Sequence, residues 1–232
     1  MKALFSQAGL EINDSQLCKF NKFYELLISE NEKYNLTAIT EFNEVVIKHF
    51  IDSVLIFNLD FKFENTKIID IGTGAGFPAI PLKIMDESIE ITALDSLNKR
   101  INFIELVKKD LDITHLDAVH GRAEDFGQSP IYREKYDFAV SRAVAELRLL
   151  LEFVIPFVKV NGYFLAYKSL KSDQELIDAK NALEKMKAKI VDIKTIQLPE
   201  NMGTREIIII QKTGVLDKKY PRKPGIPKKS PL

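Results

Sequence analysis

Residues 70–78 read Asp-Ile-Gly-Thr-Gly-Ala-Gly-Phe-Pro, and this glycine-rich stretch decides the fold. It follows a short apolar run at residues 67–71, which is typical of a buried strand, and it precedes a helical pattern that continues to about residue 85. Pro78 suits the first turn of that helix. In α/β sheets, ligands bind at the carboxyl ends of the strands, and glycine there lets the backbone approach them closely. The stretch therefore predicts a ligand-binding turn between a strand and a helix.

The spacing of the glycines distinguishes between ligands. A dinucleotide site favours Gly-x-Gly-x-x-Gly with a pyrophosphate at the helix N-terminus, but here the third glycine comes one residue early. An acid also ends the strand, where it would repel that pyrophosphate. S-adenosylmethionine carries a sulfonium and an ammonium group and tolerates the acid, so we expect this cofactor. A tight turn without a ligand is the alternative. The expected contacts are Asp70, Gly72, Gly74 and Gly76.

Acidic residues also follow the next two predicted strands. Asp95 ends the second strand and can accept hydrogen bonds from both ribose hydroxyls. Alone, Asp95 could equally cap the following helix, and the presence of Asp70 favours the ribose contact. After the third strand, Ala123 and Glu124 offer a backbone amide and a carboxylate that could read the adenine edge and its amine. A solvated acidic turn is the alternative there.

The remaining pattern predicts the architecture. Strands are expected at residues 67–71, 89–95, 116–120, 136–141, 163–168, 190–197 and 206–211, and helices at 99–109, 146–158 and 172–189. This alternation predicts an α/β fold with a seven-stranded, mostly parallel sheet, covered by helices on both faces and ending in an antiparallel strand. Residues 1–62 read as an N-terminal helical extension packed on the main domain, residues 63–213 as that domain, and residues 214–232 as a basic, proline-rich tail.

Composition excludes several classes of protein. Apolar residues make up 46% of the 232 residues and charged residues 28%, which rules out a disordered or collagenous chain. Cys18 is the sole cysteine, so an intramolecular disulfide and a cysteine zinc cluster are excluded. The three histidines do not have metal-ligand spacing, and we expect no metal. No apolar run approaches the ~20 residues that span a bilayer, and a cytoplasmic protein is expected.

Several short motifs follow one another along the chain in a specific order. They are Tyr-Asn-Leu-Thr at 34–37, His-Phe-Ile-Asp-Ser at 49–53, the glycine-rich stretch, Asp-Ser-Leu-Asn-Lys-Arg at 95–100, Arg-Ala-Glu at 122–124, Ser-Arg-Ala-Val-Ala at 141–145 and Tyr-Pro-Arg-Lys-Pro-Gly at 220–225. In this order the chain resembles, over nearly its whole length, the bacterial small-subunit (16S) ribosomal RNA guanine-N7 methyltransferase G family, also called glucose-inhibited division protein B. One departure is Ala79, where glycine is common in the family.

The resemblance implies a class I S-adenosylmethionine-dependent methyltransferase with a Rossmann-like sheet. It implies transfer of a methyl group from S-adenosyl-L-methionine to N7 of a guanine in 16S rRNA. The cofactor contacts that it implies are Gly72, Phe77, Asp95, Ser96, Leu97, Ala123, Glu124 and Arg142. Two other interpretations remain: a non-catalytic RNA-binding ribosome-assembly factor, and a nicotinamide-dependent oxidoreductase, which the glycine spacing disfavours.

The sequence offers no catalytic base, and the implied reaction needs none. The fourth strand ends in Ser-Arg-Ala at residues 141–143, without the Pro-Pro-aromatic loop of amino-directed methyltransferases. Guanine N7 has an in-plane lone pair and no proton, so alignment and the local field would supply catalysis. Arg142 is the best candidate for orienting the base; cofactor, phosphate or a salt bridge are its other possible partners. We expect His49 and His120 to be packing or surface residues.

The chain has 33 basic and 33 acidic residues and thus no net charge, so any attraction to RNA must come from local clusters of basic residues. Residues 217–232 hold six Lys or Arg against one Asp, and their four prolines predict a segment outside helix and sheet that adds charge more than core. We expect a monomer whose partner is 16S rRNA or a precursor of the small ribosomal subunit. The basic residues expected around the cleft are Lys99, Arg100, Lys168, Lys171, Arg205, Arg222 and Lys223.

Overall fold

A computed structural model describes residues 1–142, 144–169 and 173–232. Within these ranges one sheet contains seven strands: β1 Lys67–Ile71, β2 Glu90–Asp95, β3 Leu116–His120, β4 Tyr136–Arg142, β5 Val158–Ser169, β6 Ala188–Gln197 and β7 Thr204–Lys212. Their order is β3-β2-β1-β4-β5-β7-β6. Strands β1 to β5 pair in parallel, whereas β7 is antiparallel to both β5 and β6. The expected mostly parallel sheet with an antiparallel last strand is confirmed.

Helices precede the sheet and connect its strands. They are α1 Lys2–Gln7, α2 Asp14–Tyr34, α3 Phe42–Val45, α4 Asp52–Val54, α5 Ala79–Met85, α6 Asn98–Asp110, α7 Ala123–Phe126, α8 Leu147–Val154, α9 Asp173–Asp178, α10 Lys180–Lys185 and α11 Ile226–Lys229. A turn of π-helix, Val46–Ile51, joins α3 to α4. Helix α2 begins at a capping box, in which Asn13 and Gln16 each accept a hydrogen bond from the other's backbone N–H. None of the helices in the described ranges is both apolar and long enough to cross a bilayer.

The element boundaries differ most from the predicted ones at two places. The helix predicted over 172–189 is too long: α10 ends at Lys185, and Lys187 takes a left-handed φ of 51° immediately before β6. Strand β5 begins at Val158 instead of residue 163. The left-handed φ of Asn161, 68°, is typical of a turn. The strand nevertheless continues through this residue, because the pairing of β5 with β4 shifts its register between Tyr136 and Phe138 of β4.

Successive side chains of the strands point to opposite faces of the sheet and pack in two apolar cores, one on each face. On one face Ile68 belongs to a core with Phe23 and Phe50, whose rings stack 5.3 Å apart. On the other face Ile69 belongs to a core with Phe157. The helical residues before β1 therefore pack on a single face of the sheet, and their last segment reaches the carboxyl ends of its strands.

The C-terminal segment does not stand apart from the domain, and the prediction of a segment outside helix and sheet is wrong. Leu216 and Tyr220 are buried in the second core, and Ile226–Lys229 form α11. Pro227 lies in the first turn of that helix, where its missing N–H costs no hydrogen bond. Arg133 fixes the segment by donating to the backbone carbonyls of Leu216 and Tyr220 at 3.1 and 2.7 Å. The buried side chains of Leu216 and Tyr220 and the hydrogen bonds from Arg133 therefore hold the segment on the domain despite its high positive charge.

Candidate active site

A cavity of about 670 Å³ opens at the carboxyl ends of β1 to β4. Its volume lies within the range of small-molecule sites, roughly 300–1,000 Å³. We call it the first cavity. Of the sequence-predicted residues, the wall contains Gly72, Gly74, Phe77, Asp95, Ser96, Arg100, Ala123, Glu124 and Arg142.

The glycine-rich turn forms one wall of the first cavity. The N–H groups of Gly72 and Thr73 donate to the carbonyl of Leu94, which ties the turn to β2. Gly74 has a φ of 61°, and a Cβ built there would meet no atom within 4 Å, so this glycine borders open space. At Gly76 a Cβ would lie 2.3 Å from Ile80 Cδ1. Gly74 therefore leaves room for a ligand, whereas Gly76 is absent from the wall and permits the turn to pack against α5.

Asp70 does not line the first cavity, and the expectation of direct cofactor contact is corrected. Its side chain is fully buried beneath the turn, where one carboxylate oxygen accepts from the N–H of Ala79 at 3.2 Å. Burial raises the pKa of Asp70 to about 7, although the Thr73 hydroxyl and the Ala79 N–H oppose the shift. Leu97 is likewise absent from the wall. Its backbone N–H donates a hydrogen bond to Asp95 Oδ1 at 2.9 Å.

Asp95 both lines the cavity and organises it. Its Oδ2 accepts from the Gly74 N–H at 2.9 Å and from Arg100 Nη1 at 3.1 Å, and its Oδ1 accepts from the Leu97 N–H. A carboxylate has about four lone-pair positions, so roughly one remains for a ligand hydroxyl. The alternative that Asp95 caps the following helix is wrong, because the N-cap of α6 is Leu97 and no side chain caps that helix.

The guanidinium of Arg142 lies at the junction of several elements. Its Nη1 donates to Asp52 Oδ2 at 3.0 Å and to the carbonyls of Lys48 and His49 at 3.2 and 3.3 Å. Its carbon lies 5.1 Å from the centre of the Phe77 ring. Both partners of the ion pair are mostly buried. The π-helical turn thus holds Arg142 in a fixed orientation at the end of β4.

His49 and Thr37 line the first cavity although the sequence assigned them no role. His49 stacks on Phe77 at 4.7 Å, and its Nε2 lies 2.8 Å from Thr37 Oγ1. Burial, reinforced by the charge of Arg142, lowers the pKa of His49 to about 3, so the ring is neutral near pH 7. Their membership of the 34–37 and 49–53 motifs was the only sequence signal for a site role.

A second cavity of about 550 Å³ adjoins the first and shares His49, Arg142 and Val144 with it. Three further basic side chains, Lys48, Lys168 and Arg205, line this second cavity. Arg205 Nε lies 3.0 Å from Asp52 Oδ1, and Lys168 Nζ lies 3.0 Å from the carboxylate of Glu175. Arg142 therefore separates two adjoining spaces, one against the glycine-rich turn and one against a basic wall.

The other predicted basic residues are spread along the surface. Lys99 donates to the carbonyl of Tyr34 at 2.8 Å, and Lys223 is exposed. Arg222 lines neither cavity; its guanidinium forms an ion pair with Glu152 instead. Lys171 and Ala143 lie outside the described residues. Over the part of the chain that is described, no three His, Cys, Asp or Glu side chains cluster in a way that could hold a metal ion.

Comparison with known proteins agrees with this geometry. The family model for rRNA small subunit methyltransferase G matches residues 16–207. A relative from Clostridium botulinum (strain Loch Maree / Type A3), ribosomal RNA small subunit methyltransferase G, is 48% identical over 227 residues, which cover 98% of this chain and 95% of the relative.

Solved structures share the fold at low sequence identity. A SAM-dependent methyltransferase from Aquifex aeolicus superposes with a TM-score of 0.55 at 15% identity, covering 78% of this chain and 97% of that one. TYW2 from M. jannaschii, in complex with AdoMet, gives a TM-score of 0.52 at 16% identity, with coverages of 65% and 69%. The sheet is thus that of class I methyltransferases, and with its family match the chain belongs to the rRNA small subunit methyltransferase G family.

Proposed function

We propose that the protein transfers a methyl group from S-adenosyl-L-methionine to N7 of a guanine in 16S rRNA. The observation that carries this proposal is the pair of adjoining cavities that meet at Arg142, in a member of this family. The first cavity would hold the cofactor and the second the target guanine. Because the two spaces share a wall, a methyl donor and an acceptor can approach each other there.

The first cavity has the groups that this cofactor requires. Asp95 keeps about one acceptor position for a ribose hydroxyl, and Glu124, which is largely buried, offers a carboxylate for the adenine amine. The open space at Gly74 lets the ligand approach the backbone. When bound, S-adenosylmethionine supplies an electrophilic methyl group on a cationic sulfur.

Arg142 would orient the guanine. Its Nη1 is occupied by Asp52 and two carbonyls, and its Nη2 lies 3.4 Å from His49 Nδ1, but a guanidinium has five N–H donors, so about two remain for a ligand. Guanine has an acceptor, O6, beside N7, whereas adenine has an amine there. A donor at this place therefore favours guanine.

Transfer to N7 needs no proton acceptor. The bond between N7 and the methyl carbon forms as the bond from that carbon to sulfur breaks, and the positive charge passes from sulfur to the purine. The neutral His49 ring, held by Thr37, suits such a reaction because it brings no further positive charge to the site. Catalysis rests on alignment and on the fixed charges of Arg142 and Asp52.

The substrate also defines the setting. The RNA would be 16S rRNA or a precursor of the small ribosomal subunit, and the protein would act as a monomer in the cytoplasm. The basic residues that line the two cavities include Arg100 at the first, and Lys168 and Arg205 at the second. We assign the neighbouring RNA phosphates to these side chains.

Purified protein, labelled S-adenosylmethionine and small ribosomal subunits lacking 7-methylguanosine test the proposal. We expect incorporation that maps to a single guanine as 7-methylguanosine. Arg142→Lys should lower turnover at least tenfold while cofactor binding by calorimetry stays within about threefold. Arg148→Lys, at a half-buried arginine of α8 that lines neither cavity and pairs with Glu146, is the matched control. Binding of NAD instead, or RNA binding without methylation, would contradict the proposal and support one of the other two functions.

A further inference from the structure

Helix α8 carries a buried acid in an otherwise apolar neighbourhood. Glu152 is only 1% exposed and lies between Leu151 and Phe153 in sequence. A carboxylate in such a place is costly unless it is paired and hydrogen-bonded. Its partner comes from the far end of the chain, seventy residues later.

Arg222 satisfies Glu152 with three hydrogen bonds. Its backbone N–H and its Nε donate to Oε1 at 2.9 and 2.8 Å, and its Nη2 donates to Oε2 at 2.6 Å. The hydrogen bond to Glu152, and then the charge of Glu152, raise the pKa of Arg222 in return. Nη2 also donates to the carbonyl of Ser230 at 2.9 Å, so the same side chain fixes α11. A guanidinium occupied in this way is poorly available to an RNA phosphate.

The residues around this pair reach the first cavity at two points. Phe153, adjacent to Glu152, lines the cavity. Three residues after Arg222, the N–H of Gly225 lies 3.4 Å from Glu124 Oε1, and Glu124 lines the same cavity. The short turn at residues 222–225 therefore contacts Glu124 of the cavity wall directly and is joined, through Glu152, to the helix that carries Phe153.

We infer that Arg222 is a positioning residue for the cofactor site, acting through Glu152 and the 222–225 turn. This inference rests on the proposed function, because it takes the first cavity to be the cofactor site. Loss of Arg222 leaves a buried carboxylate unpaired, which displaces α8 with Phe153 and withdraws the Gly225 N–H from Glu124. The end of the site assigned to adenine is then less ordered, and the cofactor binds more weakly. The C-terminal segment thus belongs to the cofactor site.

Calorimetric titration of the full-length protein with S-adenosylmethionine tests this inference. We expect Arg222→Ala to weaken cofactor binding about tenfold at a temperature where circular dichroism shows the fold intact. Lys223→Ala is the matched control, since its side chain is exposed next to Arg222, and it should stay within twofold. If Arg222→Ala does not fold, Arg222→Lys keeps the charge but not the paired geometry and should weaken binding at least threefold.

A second substitution separates positioning from general destabilisation. Glu152→Gln removes the buried charge, so Glu152→Gln with Arg222→Ala should bind the cofactor more tightly than Arg222→Ala alone. Equal affinity of the wild type and Arg222→Ala would overturn the inference, as would an effect of Arg222→Ala on RNA affinity alone. Absence of cofactor binding by the wild type would instead refute the proposed function, so the two failures are distinguishable.

Discussion

Asp95 Oδ2 accepts a hydrogen bond from the backbone N–H of Gly74 at 2.9 Å, and this bond joins the turn after β1 to the end of β2. One carboxylate thereby fixes the left-handed glycine and lines the cavity that the glycine leaves open. Ligand contact and local stability are consequently coupled at this residue.

Asp95→Ala should weaken both properties together. We expect cofactor binding to fall by about 1 to 3 kcal/mol, because the ribose loses a charged acceptor. We also expect the free energy of unfolding to fall by about 1 to 2 kcal/mol, because the N–H groups of Gly74 and Leu97 lose theirs. Calorimetry and urea denaturation measure the two effects. Arg100→Ala is the control: it removes one partner of Asp95, leaves the backbone bonds intact and should cost little stability. Unchanged cofactor affinity in a folded Asp95→Ala protein would contradict the assignment.

Gly74 and Gly76 make a matched pair of substitutions, because a Cβ at Gly74 would border open space whereas one at Gly76 would lie against Ile80. Gly74→Val should reduce cofactor affinity at least tenfold, about 1.4 kcal/mol, because its side chain enters the open space of the cavity, and the left-handed φ of 61° should also cost some stability. Gly76→Val should mainly destabilise, because its Cβ would clash with Ile80. Thermal melts and cofactor titrations of both variants check this. The reverse pattern, with Gly76→Val the weaker binder and Gly74→Val the less stable, would contradict it.

His49 and Asp70 should impose opposite pH dependences on stability. The pKa of His49 is lowered to about 3, so unfolding takes up a proton below about pH 6.5, and this residue makes stability fall as the pH falls. The pKa of Asp70 is raised to about 7, so the folded state holds a proton that the unfolded chain releases above about pH 3.8. Asp70 therefore contributes stability that is lost as the pH rises toward 7. Between about pH 4 and 6.5 the two slopes oppose each other.

Urea denaturation at pH 4.5, 5.5 and 6.5 separates these contributions. Relative to the wild type, Asp70→Asn should give a stability that rises more steeply with pH, by up to about 1.4 kcal/mol per pH unit. His49→Asn should change the slope by a similar amount in the other direction. Identical slopes in all three proteins would show that neither residue keeps its shifted pKa.

The exposed lysines of the C-terminal segment should contribute to RNA binding without affecting the cofactor. Lys223, Lys228 and Lys229 are exposed. Changing all three to Gln should flatten the log–log salt dependence of RNA affinity by roughly two units, at about 0.7 per phosphate contact. A matched triple change of Lys67, Lys135 and Lys159, at the opposite edge of the sheet near a separate cavity, should leave the slope unchanged. Equal slopes for the two triple variants would show that the segment does not contact phosphates.

Local pattern was sufficient for most of the sheet and for the glycine-rich turn. The apolar run that forms β1 has the predicted bounds, because a buried parallel strand needs little beyond consecutive apolar residues. The capping box at Asn13 likewise depends on residues only three apart. Asp95 was placed correctly at the end of β2 and in the cavity wall for the same reason.

The features that local pattern did not reveal depend on contacts between distant segments. His49 meets Arg142 only because the π-helical turn packs against the end of β4, and no local period shows this. Asp70 looks like a ligand contact in sequence, but the turn folds over it and buries it. Counting charges in the last sixteen residues could not reveal that Arg222 is matched by Glu152. Long-range pairing decides these cases.

The position of β7 between β5 and β6 has a consequence for synthesis. Strand β6 is made before β7, yet it touches the sheet only through β7. Until residue 212 has left the ribosome, the nascent chain carries β5 as an open edge and β6 as an unattached hairpin arm. Arg222, the partner of the Glu152 carboxylate, is made ten residues after the end of β7. Assembly of the sheet is thus deferred until β7 has been made, and a chain that stops before β7 exposes both the edge of β5 and an unpaired Glu152 carboxylate.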